Sequence, residues 1–236
     1  MNDTHYLERR GQIETYFDRT AVQAWERLTS DAPVGRIRAT VRAGRDRMRE
    51  TLLSWLPARM DGLRLLDAGC GTGALAQVAA ERGAEVVAID LSPTLVNLAC
   101  ERHRLSARPM AGRIEFRSGD MLDPALGRFD HVVAMDSLIH YDTPHIVEAV
   151  QRLSERTRGS ILFTFAPRTP LLALMHRMGR LFPRSDRSPS LAPQAEDVLR
   201  AALAGALAPR GWHEGRGQRI ASGFYTSQAW EWRRTS

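Results

Sequence analysis

Apolar runs rich in Val, Ile, Leu and Ala recur along the middle of this chain, at 63–68, 84–90, 113–118, 129–135 and 159–166, and each predicts a buried strand. The segments between three pairs of these runs, 73–82, 92–104 and 144–157, predict helices. Ser92 is placed to cap the second of them, and Pro93 falls in its first turn, where a missing N–H costs nothing. A helix over 194–208 and two further strands, 214–221 and 224–232, close the pattern. Strand–helix alternation of this kind predicts an α/β fold, a mostly parallel seven-stranded sheet with helices on both faces.

Two segments stand outside the alternation. Residues 1–61 read as an N-terminal helical extension to a domain over 62–236. Ile13, Phe17, Ala24 and Leu28 fall at helical spacing with Trp25 beside them, and a second helix runs from Ile37 to Leu56, where Pro57 stops it. Residues 167–193 carry five prolines around an amphipathic stretch, Leu171, Leu174, Met175, Met178 and Phe182 on one face and His176, Arg177 and Arg180 on the other. An insertion after the fifth strand is expected to lie near the carboxyl ends of the strands as a lid. A packed surface helix and a helix on a membrane surface are the alternatives.

Composition narrows the class. At 236 residues, with 43% hydrophobic and 25% charged residues, the chain fits one globular α/β domain with additions. Cys70 and Cys100 form no disulfide or zinc pattern, the N-terminus shows no apolar signal core, and no run approaches the length needed to span a bilayer, so a cytoplasmic protein is expected, at most touching a membrane surface. All 33 basic residues are arginine, and the net charge is +6. Such a surface attracts nucleic acid, anionic lipid or acidic small molecules, although biased codon usage produces the same composition. Individual arginines still suit a carboxylate, which the guanidinium grips in two-pronged fashion.

The candidate chemistry begins at Leu65-Leu66-Asp67-Ala68-Gly69-Cys70-Gly71-Thr72-Gly73, where a strand ends in an acid and three glycines at alternate positions open a helix. Glycine permits positive φ and lets a ligand approach the backbone. Seventeen residues past Gly73 the next strand ends in Asp90, followed by Leu91 and Ser92, and an acid there can accept both hydroxyls of a ribose. The ligand predicted is an adenosine compound lying across the carboxyl ends of the sheet. Gly69, Gly71 and Ala74 fit the loose dinucleotide fingerprint, but Asp67 would repel a pyrophosphate and suits a cationic amine. The acid-then-glycine order resembles the first motif of the Rossmann-like class I S-adenosylmethionine-dependent methyltransferases. That resemblance implies S-adenosylmethionine as cofactor, held by Asp67, Gly69, Cys70, Gly71, Gly73, Asp90, Leu91 and Ser92, with Asp120 and Met121 at the adenine.

A second cluster, Asp136-Ser137-Leu138-Ile139-His140-Tyr141, follows the fourth core strand, which places Asp136, His140 and Tyr141 at the same edge. With Val41-Arg42-Ala43-Gly44-Arg45, Phe165-Ala166-Pro167-Arg168-Thr169, Gly179-Arg180-Leu181-Phe182-Pro183 and Phe224-Tyr225, this cluster resembles the magnesium-protoporphyrin IX O-methyltransferase family of bacteriochlorophyll and chlorophyll synthesis. The resemblance implies methyl transfer to a propionate of magnesium protoporphyrin IX, possible contact with magnesium chelatase, and no resident metal. It implies Asp136 as a further cofactor residue and Tyr16, Arg42, Tyr141 and Arg168 as substrate contacts, with Arg45 as a further candidate for a second propionate. His140 is the catalytic candidate, either orienting the carboxylate or standing beside the magnesium. The family's tyrosine after the N-terminal tryptophan aligns with Thr29, so its role does not carry over.

Three other readings compete. One is a methyltransferase for another small acid or quinone-like acceptor. A second is a nucleic-acid methyltransferase, against which stands the lack of an Asn/Asp-Pro-Pro-Tyr/Phe motif after the fourth strand. A third is a porphyrin carrier without catalysis, against which stands the complete set of Asp67, the three glycines, Asp90 and Asp120.

Overall fold

The computed structural model describes residue 11 and residues 36–106, 108–168 and 191–235. Helix α1 (Arg36–Trp55) leads into β1 (Arg64–Ala68), α2 (Ala74–Glu81), β2 (Glu85–Asp90), α3 (Pro93–Leu105), β3 (Arg113–Ser118) and β4 (Phe129–Ala134). Then follow α4 (Thr143–Ser154), β5 (Thr157–Phe165), α5 (Glu196–Leu207), β6 (Trp212–Ser222) and β7 (Tyr225–Arg234). The seven strands form one sheet in the order β3-β2-β1-β4-β5-β7-β6, with β7 antiparallel to both neighbours.

Strand alternation sorts the core into two layers. Leu66, Val87, Val132, Ile161 and Phe163 point to one face, where Ile146, Val150 and Leu153 of α4 and Leu199 and Leu203 of α5 cover them. Their chain neighbours Leu65, Val86, Val133 and Leu162 point to the other, under Met48 and Leu52 of α1 and Ala76 and Ala79 of α2. Continuous apolar runs, read as strands buried on both faces, are what this packing requires.

Helix α1 is fastened to the β6–β7 hairpin. A Cβ on Gly44 would stand 2.6 Å from Cδ1 of Tyr225, so the glycine lets the ring lie on the helix backbone. Farther along, Arg47 donates to the Ala221 carbonyl at 3.0 Å and Arg216 donates to the Trp55 carbonyl at 2.7 Å. The second fastening is stiffened by Glu231, which is 1% exposed and takes two bonds from the Arg216 guanidinium, at 2.7 and 2.8 Å, and one from its backbone N–H at 3.3 Å.

Element boundaries differ from the sequence reading by one to three residues, and three of the differences have a local cause. Strand β4 stops at Ala134, one residue early, because the Asp136 N–H goes to the Thr164 hydroxyl at 2.8 Å and Asp136 turns to φ 55. Strand β5 begins at Thr157, since Thr157 pairs with Phe129 ahead of a register shift. Strand β6 begins at Trp212, immediately after Gly211 turns at φ 75. The first part of the N-terminal extension, with Tyr16 and Thr29, and residues 169–190 of the expected lid lie outside the described residues. No helix among the described residues is long and apolar enough to cross a membrane, and no cluster of acids, histidines and cysteines there is spaced to hold a metal.

Candidate active site

The turn after β1 is held by the strand beside it. Gly69 and Cys70 donate to the Ile89 carbonyl at 2.8 and 3.0 Å, and Gly73 donates to Cys70 at 2.9 Å. Gly69, Gly71 and Gly73 have φ of 83, 53 and 77°, a region where a side chain is strained. At Gly69 there is a second reason: a Cβ would stand 2.4 Å from Cβ of Ser137. The glycine turn and the turn after β4 are therefore packed together, the Gly69 backbone against the Ser137 side chain.

Two acids flank this turn. Asp67 is 2% exposed and accepts one bond, from the Ala76 N–H at 3.2 Å. Burial pushes its carboxyl up to about 7, opposed by that bond and helped by the nearby Asp90 charge. Asp90 accepts the Gly71 N–H at 2.8 Å on one oxygen and the Ser92 N–H at 3.0 Å on the other. Burial raises its carboxyl as well, against the backbone N–H groups of Ser92, Gly71 and Leu91. Asp90 thus tethers the glycine turn, and a carboxylate oxygen with one bond keeps a second lone pair for a hydroxyl. Burial and the two acids raise the Cys70 thiol, keeping it neutral. Leu91 packs against the core, and Ser92 caps α3 by accepting the Leu95 N–H at 3.2 Å.

The β3 turn joins the same edge, with Gly119 donating to the Asp90 carbonyl at 2.9 Å. Asp120 turns back on its own loop, accepting the Leu122 N–H at 2.8 Å, and the Met121 carbonyl accepts from Arg156.

After β4, Asp136 is the centre of a network. Its carboxylate accepts from Tyr225 at 3.1 Å and from Thr164 at 3.2 Å, and lies 3.4 Å from the Arg45 guanidinium. Burial, then the Asp136 charge, push the Tyr225 phenol well above its ordinary range, so it stays a donor. Sequence reasoning expected Arg45 to be a candidate for a propionate, whereas its ion pair with Asp136 gives the guanidinium a partner within the chain. A short turn, Leu138–His140, then carries His140, which is 5% exposed. Tyr141, expected at the open edge, is 4% exposed and packs into the apolar cluster with α4.

Gln194, absent from the sequence reading, fastens this turn. It is 4% exposed, donates to the Tyr141 carbonyl at 3.0 Å and accepts from the Thr143 hydroxyl at 2.6 Å. Its backbone bridges Ala166 and Arg168, each at 2.8 Å, while Ala192 donates to Ile139 at 3.0 Å. Arg168 is exposed beside this bridge, and Arg42 is half-buried on α1. Thr164 and Gln194 carry no sequence signal, because their partners lie 28 and 53 residues away.

A mostly parallel sheet of this strand order, with an acid–glycine turn at the end of β1 and an acid at the end of β2, defines a class I methyltransferase fold. Accordingly, residues 65–159 match the family described as a methyltransferase domain. Residues 134–234 match the magnesium-protoporphyrin IX methyltransferase C-terminus. The magnesium-protoporphyrin O-methyltransferase of Rhodobacter capsulatus is 47% identical over 97% of this chain and 98% of its own. Its counterpart from Synechocystis is 27% identical over 95% and 96%. The crystal structure of the Synechocystis PCC 6803 magnesium protoporphyrin IX methyltransferase with bound SAH superimposes with a TM-score of 0.83, at 26% identity, over 96% of this chain and 100% of that one. The chain belongs to the magnesium-protoporphyrin O-methyltransferase family.

Proposed function

We propose that this protein transfers a methyl group from S-adenosylmethionine to one propionate carboxylate of magnesium protoporphyrin IX, forming the monomethyl ester in bacteriochlorophyll synthesis. The observation that carries the reading is the contact between Gly69 and Ser137, which sets the His140 turn directly against the acid–glycine turn in a chain of this family. The cradle fits the cofactor: Asp67 is buried, its one hydrogen bond comes from a neutral amide, and a cation beside it would restore the ionised form.

S-adenosylmethionine, when bound, supplies an electrophilic methyl on a sulfonium. A propionate is already ionised at neutral pH, so the chain needs no strong base. Its task is alignment, which can supply most of the acceleration. Asp67 faces the cationic end of the cofactor, and Asp90, fixed by Gly71 and Ser92, offers its remaining lone pairs to the ribose. His140, in a turn held by Ala192 and Gln194, orients the acceptor carboxylate. Arg42 and Arg168 serve the second propionate. Tyr16 and Tyr141 remain assigned to the substrate on the family resemblance alone.

Contact with magnesium chelatase and association with a membrane surface belong to the same proposal. Their support is a planar apolar substrate suited to direct handover and a net charge of +6. The test is transfer of labelled methyl to magnesium protoporphyrin and to metal-free protoporphyrin. Ester formed on the magnesium form is expected, and no ester on either overturns the reading.

A further inference from the structure

Among the described residues three large apolar side chains are exposed: Leu105 by 78%, Val198 by 55% and Phe224 by 49%. Leu105 ends α3 and Val198 lies in the first turn of α5. Phe224 is the aromatic one, and it stands in the turn between β6 and β7. Because β7 runs antiparallel to β5, that turn opens on the edge where the parallel strands end.

The backbone around Phe224 is fixed on both sides. Before it, Gly223 turns at φ 57 and lies so close to α1 that a Cβ would stand 2.3 Å from the Thr40 hydroxyl. After it, Tyr225 lies on Gly44 and donates to Asp136 at 3.1 Å. Three residues before Phe224, near the end of β6, the Ala221 carbonyl accepts from Arg47. An exposed phenyl on a mobile loop would lose much of its binding free energy to ordering, and this one is ordered beforehand. A phenyl has only two rotatable side-chain bonds, so little remains to be frozen.

We infer that Phe224 is a specificity-determining residue whose ring packs on the face of the planar acceptor. The inference rests on the proposed function and adds to it the acceptor's apolar contact. A magnesium porphyrin presents a broad π face with carboxylates on one side, and the Phe224 turn pairs an aromatic surface with the arginine-bearing helix α1. Neighbouring Arg45 is held by Asp136, so the contact assigned here is dispersion and stacking, with charge supplied by other groups.

The experiment compares wild type with Phe224→Ala and Phe224→Trp. It reads the Soret shift on titration with magnesium protoporphyrin, steady-state KM and kcat, calorimetric affinity for S-adenosylmethionine, and the thermal midpoint. Phe224→Ala is expected to raise Kd and KM for the porphyrin about tenfold, with kcat little changed and Phe224→Trp restored. Cofactor affinity and thermal midpoint stay at wild-type values. If wild type itself neither binds nor methylates magnesium protoporphyrin, the proposed function fails and takes this inference with it. If wild type does both and Phe224→Ala matches it, this inference alone is overturned. It is also overturned if Phe224→Ala loses cofactor affinity or melts early, since the ring is then a packing element.

Discussion

Asp67, the last residue but one of β1, and Asp90, the last of β2, lie on neighbouring strands, and the charge of the second adds to burial in holding the first up at about 7. Below that pH Asp67 is neutral in the free fold, so a cationic ligand must expel its proton. Affinity for S-adenosylmethionine is therefore expected to rise with pH up to about 7, with proton release on binding. Asp67→Asn should bind weakly with a flatter pH profile over that range. Calorimetry in buffers of different ionisation enthalpy measures the released proton, and equal slopes for the two proteins would rule out this role.

The same shift has the opposite sign for the free protein. An acid whose folded value lies above its unfolded value costs stability, beginning near 3.8 and reaching its full size above about 7. Asp67→Asn, which can still accept the Ala76 N–H, should therefore raise the thermal midpoint more at alkaline than at acidic pH. A uniform effect across pH would contradict the raised carboxyl.

His140→Ala should leave cofactor affinity near wild type and lower kcat on the order of 10²-fold, the effect of losing a positioning and charge-stabilising group. With the nucleophile already ionised, no base needs to be deprotonated and the alkaline limb of the pH–rate profile should stay flat. Loss of cofactor binding in this variant would reassign His140 to the scaffold.

Tyr225→Phe removes a donor from Asp136 while keeping the ring on Gly44. The expected cost is about 1.5–3 kcal/mol of stability, that of a hydrogen bond to a charged group. Because the fold holds the phenol protonated, the loss should stay constant from neutral pH up to about 10 and shrink above it, where the wild-type phenol ionises only in the unfolded chain. Denaturant midpoints at several pH values would reveal a discrepancy.

Glu231 offers a contrast of sign. Burial raises its carboxyl, but the bonds from Arg216 outweigh burial and hold it below its ordinary 4.5. Its contribution is present above that value and fades as pH falls through the lowered one. Arg216→Ala should cost about 2 kcal/mol at neutral pH and less in acid, where Glu231 takes up a proton. Equal losses in acid and at neutral pH would mean that Arg216 acts through Trp55 alone, whose ring it covers at 5.4 Å.

The sheet was legible because its signals are local. Leu65 and Leu66 serve opposite faces one residue apart, and Ser92 before Pro93 marks a helix start on its own. The acid–glycine turn was legible for the same reason, since Asp67 to Gly73 is one continuous stretch. What escaped was contact between distant segments. Nothing around Asp136 announces that Tyr225, 89 residues on, binds its carboxylate, or that the same carboxylate takes Arg45. Nor does Gly69 reveal that its missing side chain makes room for Ser137. Nor does the order of residues after β4 show that Tyr141, next to His140, packs into the apolar cluster with α4.

The reversed direction of β7 separates two kinds of work on one edge. Residues from Asp67 to Met121 come from consecutive parallel units and build the half proposed for the cofactor. The half proposed for the acceptor is assembled from α1, the turn after β4 and the tip of the last hairpin, pieces far apart in the chain and joined through Asp136. Mutational drift in that tip can change which flat acid is accepted while the methyl donor's seat stays intact. A library confined to Ala221, Ser222 and Phe224, with Gly223 kept against Thr40, is therefore the economical place to look for altered acceptor choice.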